Sequence, residues 1–203
     1  TIAAASLALA QTVNACETLP DLHIEVKSKF DAPPVRNDYT LAHIAALARQ
    51  QHRDNGRALL GFYISEFGYM VDLVPAGDPG CPSRIEAIVT LRLQHRLIEI
   101  GQEAAASSCV YPGALRHYQR LAQVDEQTVE RFGARVAATL VQASPDLKQT
   151  YAPHAEDLDA TLRGQIQAVV DRAIAPLHGM RQDAQQAVNS SDELKQLASS
   201  CSI

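Results

Sequence analysis

Tryptophan is absent from this chain, and aromatic residues make up only 5% of it. Bases and sugars are commonly gripped by stacking on aromatic rings, so no stacking platform is in view. Positive charge is not in excess either. The 18 Lys and Arg face 23 Asp and Glu, for a formal net charge of −5. The two signs are interspersed, which argues against the basic face that a nucleic-acid partner requires. No apolar run approaches the roughly 20 residues that a bilayer-spanning helix takes. The four cysteines form no Cys-x-x-Cys pair, so neither a zinc ribbon nor a thioredoxin-like redox site is indicated. A nucleophile elbow, a phosphate-binding glycine loop and a dinucleotide fingerprint are also missing.

What is present fits a globular protein. A chain of 203 residues with 46% hydrophobic content can bury a proper core. The expected division is a signal-like segment or N-terminal helix at 1–15, then a single α+β domain at 16–203 that ends in a helical hairpin. Residues 2–10 are rich in Ala and Leu, and Val13-Asn14-Ala15 resembles a small-residue cleavage site before Cys16. A periplasmic or secreted location is the expectation. Four widely spaced cysteines behind such a segment read as two disulfides. Of the three connectivities, Cys81–Cys109 and Cys16–Cys201 are expected. The first pair brackets one strand, and the second would tie the chain ends together.

Periodicity supplies the elements. Residues 22–27 alternate as a strand. Asp38 or Thr40 can cap a helix that carries Leu41, Ile44, Leu47 and Ala48 on one face. Two strands are expected at 58–65 and 67–74, with a turn near Glu66 or Gly68. Residues 84–100 give the clearest alternation, from Ile85 through Ala87, Val89, Leu91, Leu93 and His95 on the apolar face. That length predicts a bulge or break near Arg96 and Leu97. From Pro112 a helix carries Tyr118, Ala122, Val129, Phe132, Val136 and Leu140 on one stripe, and Pro145 is expected to stop it. A second long helix at 155–188 should be interrupted by Pro176. Ser190 to Glu193 reads as a capping box for a last short helix. The expected fold is therefore α+β: an antiparallel sheet of three to four strands, followed by two long helices packed on one face.

Residues 58–188 resemble the predicted secreted zinc-dependent proteases, a zincin-like bacterial family. In that family antiparallel strands precede a helix bearing His-Glu-x-x-His. The resemblance rests on element order, on Cys109 flanking the helix, and on His117. It implies that His117 occupies the first zinc-ligand position. Tyr118 stands where the family has its general base, and Leu121 where it has the second histidine. Such chemistry needs two imidazoles one turn apart and a carboxylate to activate water. The resemblance thus implies a degenerate, inactive relative, a pseudoenzyme without cofactor.

His95 stands apart, as a titratable group on an apolar strand face. With His117 it would form a metal or acid–base site if the helix packs over that face. A core histidine satisfied by a carbonyl or a tyrosine hydroxyl is the plainer expectation. Arg84, Arg92 and Arg96 line the wet face of the same strand, where they suit an anionic ligand or a solvated surface alike. Two functions follow as expectations. The first is an exported, non-catalytic protein that binds a protein partner in the cell envelope. The second is a zinc-dependent hydrolase with an atypical site at His117 and His95.

Overall fold

The computed structural model describes residues 20–50, 59–78, 81–149, 155–189 and 192–201. Its spine is strand β4, Cys81–Ile100, twenty residues long. Strand β3, Gly61–Asp78, lies antiparallel along one edge of it. Along the other edge run β1, Asp21–Phe30, and the two-residue β2, Val35–Arg36, both parallel to β4. Phe30 opposes Leu93 and Val35 opposes Ile98, so β2 resumes the edge in the register that β1 left.

The sheet is therefore mixed, with parallel pairing along one edge, and not the antiparallel sheet expected. Alternation records which face of a strand is buried but not the direction of its neighbour. Parallel strands need a crossover between them. Here helix α1, Leu41–Gln50, and strand β3 occupy the chain between β2 and β4. The α+β class itself holds.

The region expected to turn at Glu66 or Gly68 is one continuous strand. The irregularity there is a bulge: two residues of β4, His95 and Arg96, stand opposite Ser65 of β3. It falls beside the Arg96–Leu97 position expected from strand length. His95 takes a φ of +48°, in the left-handed region. The bulge shifts the inward phase of β4. Before it Ile85, Ala87, Val89, Leu91 and Leu93 are buried; after it the buried residues are Arg96, Ile98 and Ile100. A two-residue period cannot change face without such an insertion.

Among the described residues, five helices follow β4. They are α2, Gln102–Ala106; α3, Tyr111–Gln149; α4, Ala155–Ile174; α5, Leu177–Asn189; and α6, Glu193–Ser200. The stripe Tyr118, Ala122, Val129, Phe132, Val136 and Leu140 is buried throughout. Pro145 lies inside α3 rather than ending it. A proline there removes one hydrogen bond, to the carbonyl of Val141. Val141 is 65% exposed, so water can take the place of the missing donor. Pro176 does separate α4 from α5. Thr40 Oγ1 accepts the His43 N–H at 3.2 Å, which caps α1. Residues 54–56, 190 and 191 fall outside the described residues.

Two hydrophobic clusters hold the layers together. In the larger, Leu22, Val71, Val89 and Leu91 of the sheet meet Phe132, Val136 and Leu140 of α3 and Ile166 and Val170 of α4. In the smaller, Leu60, Ile98 and Ile100 meet Val110, Ala114, Tyr118 and Leu121 at the start of α3, with Ala198 of α6. Each fully buried Leu or Ile contributes about 1.5–3 kcal/mol relative to exposure. A disulfide joins Cys109 to Cys201, 92 residues apart, and fastens α6 to the start of α3. This pairing replaces both expected ones. Cys109 sits just ahead of a helix, and α6 returns to that helix rather than to the N-terminal region. Cys16 and the signal-like segment 1–15 lie outside the described residues. Among the described residues, no helix is long and apolar enough to cross a membrane.

Candidate functional site

Three polar regions are candidates: the surroundings of His117, a buried hub at Asp125, and a cleft at the bulge. His117 and His95 are the sequence-derived candidates, and the fold places them in different settings. His117 is fully buried on α3. Its Nε2 lies 3.1 Å from Asn189 Oδ1, which makes Nε2 the donor, and its Nδ1 lies 3.5 Å from Glu193 Oε2. The ring thus clamps the end of α5 and the start of α6 onto α3. A metal ligand needs a nitrogen lone pair facing an open position, and both nitrogens of this buried ring face Asn189 and Glu193 instead.

His95 is on the bulge with its side chain 73% exposed, and its nearest carboxylate is Glu66 at 3.9 Å. The positive φ rotates it off the apolar face to which a regular strand would assign it. Among the described residues, no group of three or more His, Cys, Asp or Glu side chains could hold a metal ion. The zincin-like reading is therefore overturned, and with it the pseudoenzyme label. Tyr118, at the supposed base position, donates to the Gly61 carbonyl at 2.7 Å. Burial pushes its phenol well above the ordinary value of 10.0. Gly61 admits that ring because a Cβ there would lie 2.1 Å from the Glu99 carbonyl oxygen and 3.0 Å from the Tyr118 ring. Leu121 is plain core.

The buried hub centres on Asp125, which has no exposed surface. Arg181 of α5 donates Nε to Oδ1 at 2.6 Å and Nη2 to Oδ2 at 2.9 Å. This is the two-pronged geometry that suits guanidinium and carboxylate. Ser65 Oγ donates to Asp125 at 2.5 Å and accepts from Arg181 at 2.7 Å. Tyr63 OH donates to Asp125 at 3.1 Å and accepts from Arg96 Nε at 3.3 Å. Arg96 also donates to Glu126 at 2.5 Å and to the carbonyl of Asp31.

Burial pushes the Asp125 carboxyl up, but the hydrogen bonds from Arg181, Ser65 and Tyr63 outweigh it and hold the group below its ordinary value. Burial raises the Tyr63 phenol, and the charge on Asp125 adds to that. Such a network closes on itself. The Ser65 hydroxyl is held at both ends, donating to Asp125 and accepting from Arg181. A groove of about 500 Å³ opens beside it, lined by Ser65 and Arg181 of the hub together with Glu66, Phe67, Ile174, Leu177 and His178. His178 is exposed there. Sequence reasoning missed Arg181, because nothing in its local pattern marks a buried cation.

The third region lies where the edge strand is interrupted opposite the bulge. A cleft of about 380 Å³ forms among Lys29, Asp31, Pro34, Arg92, Gln94 and His95. Of the three arginines suggested for an anion, Arg92 and Arg96 both border this cleft. Arg96 turns inward to the hub, 7% exposed. Arg84 pairs with Glu86 at 2.9 Å, toward the start of β4. Arg92 and Lys29 are direct neighbours across β1 and β4.

No protein-family model, curated protein or solved structure matches this chain.

Proposed function

We propose that this chain is an exported, non-catalytic binding protein that acts in the cell envelope or outside the cell. The observation that carries the reading is the cleft at the β4 bulge. Non-glycine residues rarely take a positive φ, and strained positions of this kind concentrate at binding surfaces. His95 holds such a conformation beside a recess that the broken edge strand leaves open. The hub groups Asp125, Arg181, Ser65, Tyr63 and Arg96 are committed to one another, whereas Arg92 at the recess keeps one buried nitrogen, and Glu99 in the interior one buried oxygen, without a hydrogen-bond partner among the described residues. The Cys109–Cys201 bridge supports an oxidising compartment, where such bonds persist.

The test is an amide-resolved NMR titration of the intact, oxidised chain with a panel of small acids, neutral sugars and short peptides. Binding is expected to shift the amides of residues 29–31 and 92–96. Ligands that shift only residues 65–67 and 174–181 would move the function to the groove beside the hub and overturn the cleft assignment. Non-reducing peptide mapping of protein recovered from cells checks the compartment. A reduced Cys109 would count against export.

A further inference from the structure

We infer that the cleft at the β4 bulge binds a small oxyanion, a phosphate or carboxylate group, between Lys29 and Arg92. The inference rests on that cleft being the binding surface, and it adds the class of ligand.

The fold leaves one electrostatic cost uncompensated. Lys29 and Arg92 are direct cross-strand partners. Adjacent strands lie about 4.8 Å apart, and like charges placed opposite each other destabilise a sheet. The other cations of this face have carboxylates at hand. Lys27 pairs with Glu25 at 2.8 Å, and Arg84 with Glu86 at 2.9 Å. Among the described residues, Lys29 and Arg92 form no ion pair.

The guanidinium of Arg92 also has a donor left over. Its Nε is buried without a hydrogen-bond partner. A buried unmet donor costs about as much as a lost hydrogen bond. On the other side of Arg92 the cross-strand partner is Gly68, which offers no side chain to compete for the charge. The recess beside these two cations thus lacks a counter-charge of its own size.

The remaining charged groups around the recess do not supply one. Glu66 lies 3.9 Å from His95, and Glu126 is held by Arg96 at 2.5 Å. Asp31 lends its carbonyl to Arg96, and its single carboxylate leaves one positive charge over. An oxyanion entering the recess would answer both cations at once, and the planar guanidinium suits two of its oxygens. Free phosphate and an acid group on a larger ligand share this chemistry.

The experiment follows thermal unfolding and amide shifts of the oxidised chain at fixed ionic strength. The probes are inorganic phosphate, acetate and the neutral ester trimethyl phosphate. Phosphate or acetate is expected to raise the unfolding temperature and to shift the amides of residues 29 and 92–95 with saturation. Arg92→Gln should weaken that binding roughly tenfold or more, as loss of a charged hydrogen bond does. Lys29→Gln should weaken it too, while leaving the ligand-free chain at least as stable. That combination distinguishes a binding role from a purely structural one.

Equal binding of trimethyl phosphate would overturn the anion assignment and leave the cleft reading standing. Shifts that persist in Arg92→Gln would overturn the assignment to these two residues. If none of the three probes touches the cleft amides, the oxyanion inference fails. The cleft reading then falls only if the wider panel also leaves those amides unmoved. Preference for phosphate over acetate, or the reverse, identifies which acid group the site was built for.

Discussion

Arg92 and Arg96 stand four residues apart on one strand, and their fates are opposite. Arg96 enters a closed hub of Tyr63, Glu126 and the Asp31 carbonyl. Arg92 faces an open recess beside Lys29 with a donor unmet. In a regular strand the two would share a face. The single inserted residue at the bulge separates them. One insertion therefore turns Arg96 into the hub, where it still borders the recess, and leaves Arg92 on the outer face beside Lys29.

The sharpest way to break the comparison is to delete His95. The strand would lose its phase change, and either Arg96, Ile98 and Ile100 or the residues before the bulge would face the wrong side. Exposing Ile98 and Ile100 alone removes about 3–6 kcal/mol. The deletion variant is expected to lose its cooperative unfolding transition, as read by circular dichroism in urea. A native-like transition would show that the bulge does not set the phase.

Next comes Asp125→Ala. Arg181 would keep its charge at 9% side-chain exposure without a counter-ion. Removing one partner of a buried pair costs about 3–5 kcal/mol. Urea denaturation at neutral pH measures it, and a loss below about 1 kcal/mol would mean that the hub is not closed to water. The same carboxyl should shape the acid limb. Its folded pKa lies below the ordinary value of 3.8. Its share of stability is therefore complete above that pH, and is lost as pH falls through the lower folded value. Asp125→Asn, which cannot titrate, should flatten this part of the stability–pH profile.

Two smaller effects separate strain from charge at the recess. His95→Gly relieves the left-handed backbone at φ +48°. It should stabilise the fold by about 0.5–1 kcal/mol after the entropy cost of glycine. Destabilisation instead would show that the His95 side chain contributes to packing. Lys29→Gln removes the like-charge neighbour of Arg92 and should stabilise by about 0.2–1 kcal/mol at low salt. That gain should shrink in high salt, because exposed charges are screened. A salt-independent change would point to something other than charge.

Much of the secondary structure was legible from local pattern. The alternation of β4, the buried stripe from Tyr118 to Leu140, the Thr40 cap and the break at Pro176 all appear in consecutive residues. The site was legible only in part. Arg92 was visible as a cation on a wet strand face. Arg96 carried the same signal and was read the same way, although it is buried. His95 looked like core and is exposed. His117 resembled a ligand and is a clamp for α5 and α6.

The residue types and spacings by themselves determined that this chain makes long strands followed by helices, and which stripe of α3 is apolar. Those properties depend on side chains within a few turns or pleats of one another. Only the tertiary structure decided the parallel pairing of β1, the phase of β4 after His95, the partner of Asp125 and the Cys109–Cys201 bridge. Asp125 and Arg181 are 56 residues apart, and the two cysteines 92. No local period links residues at such distances. Their meeting depends on the path of the chain, which is set by burying both clusters at once.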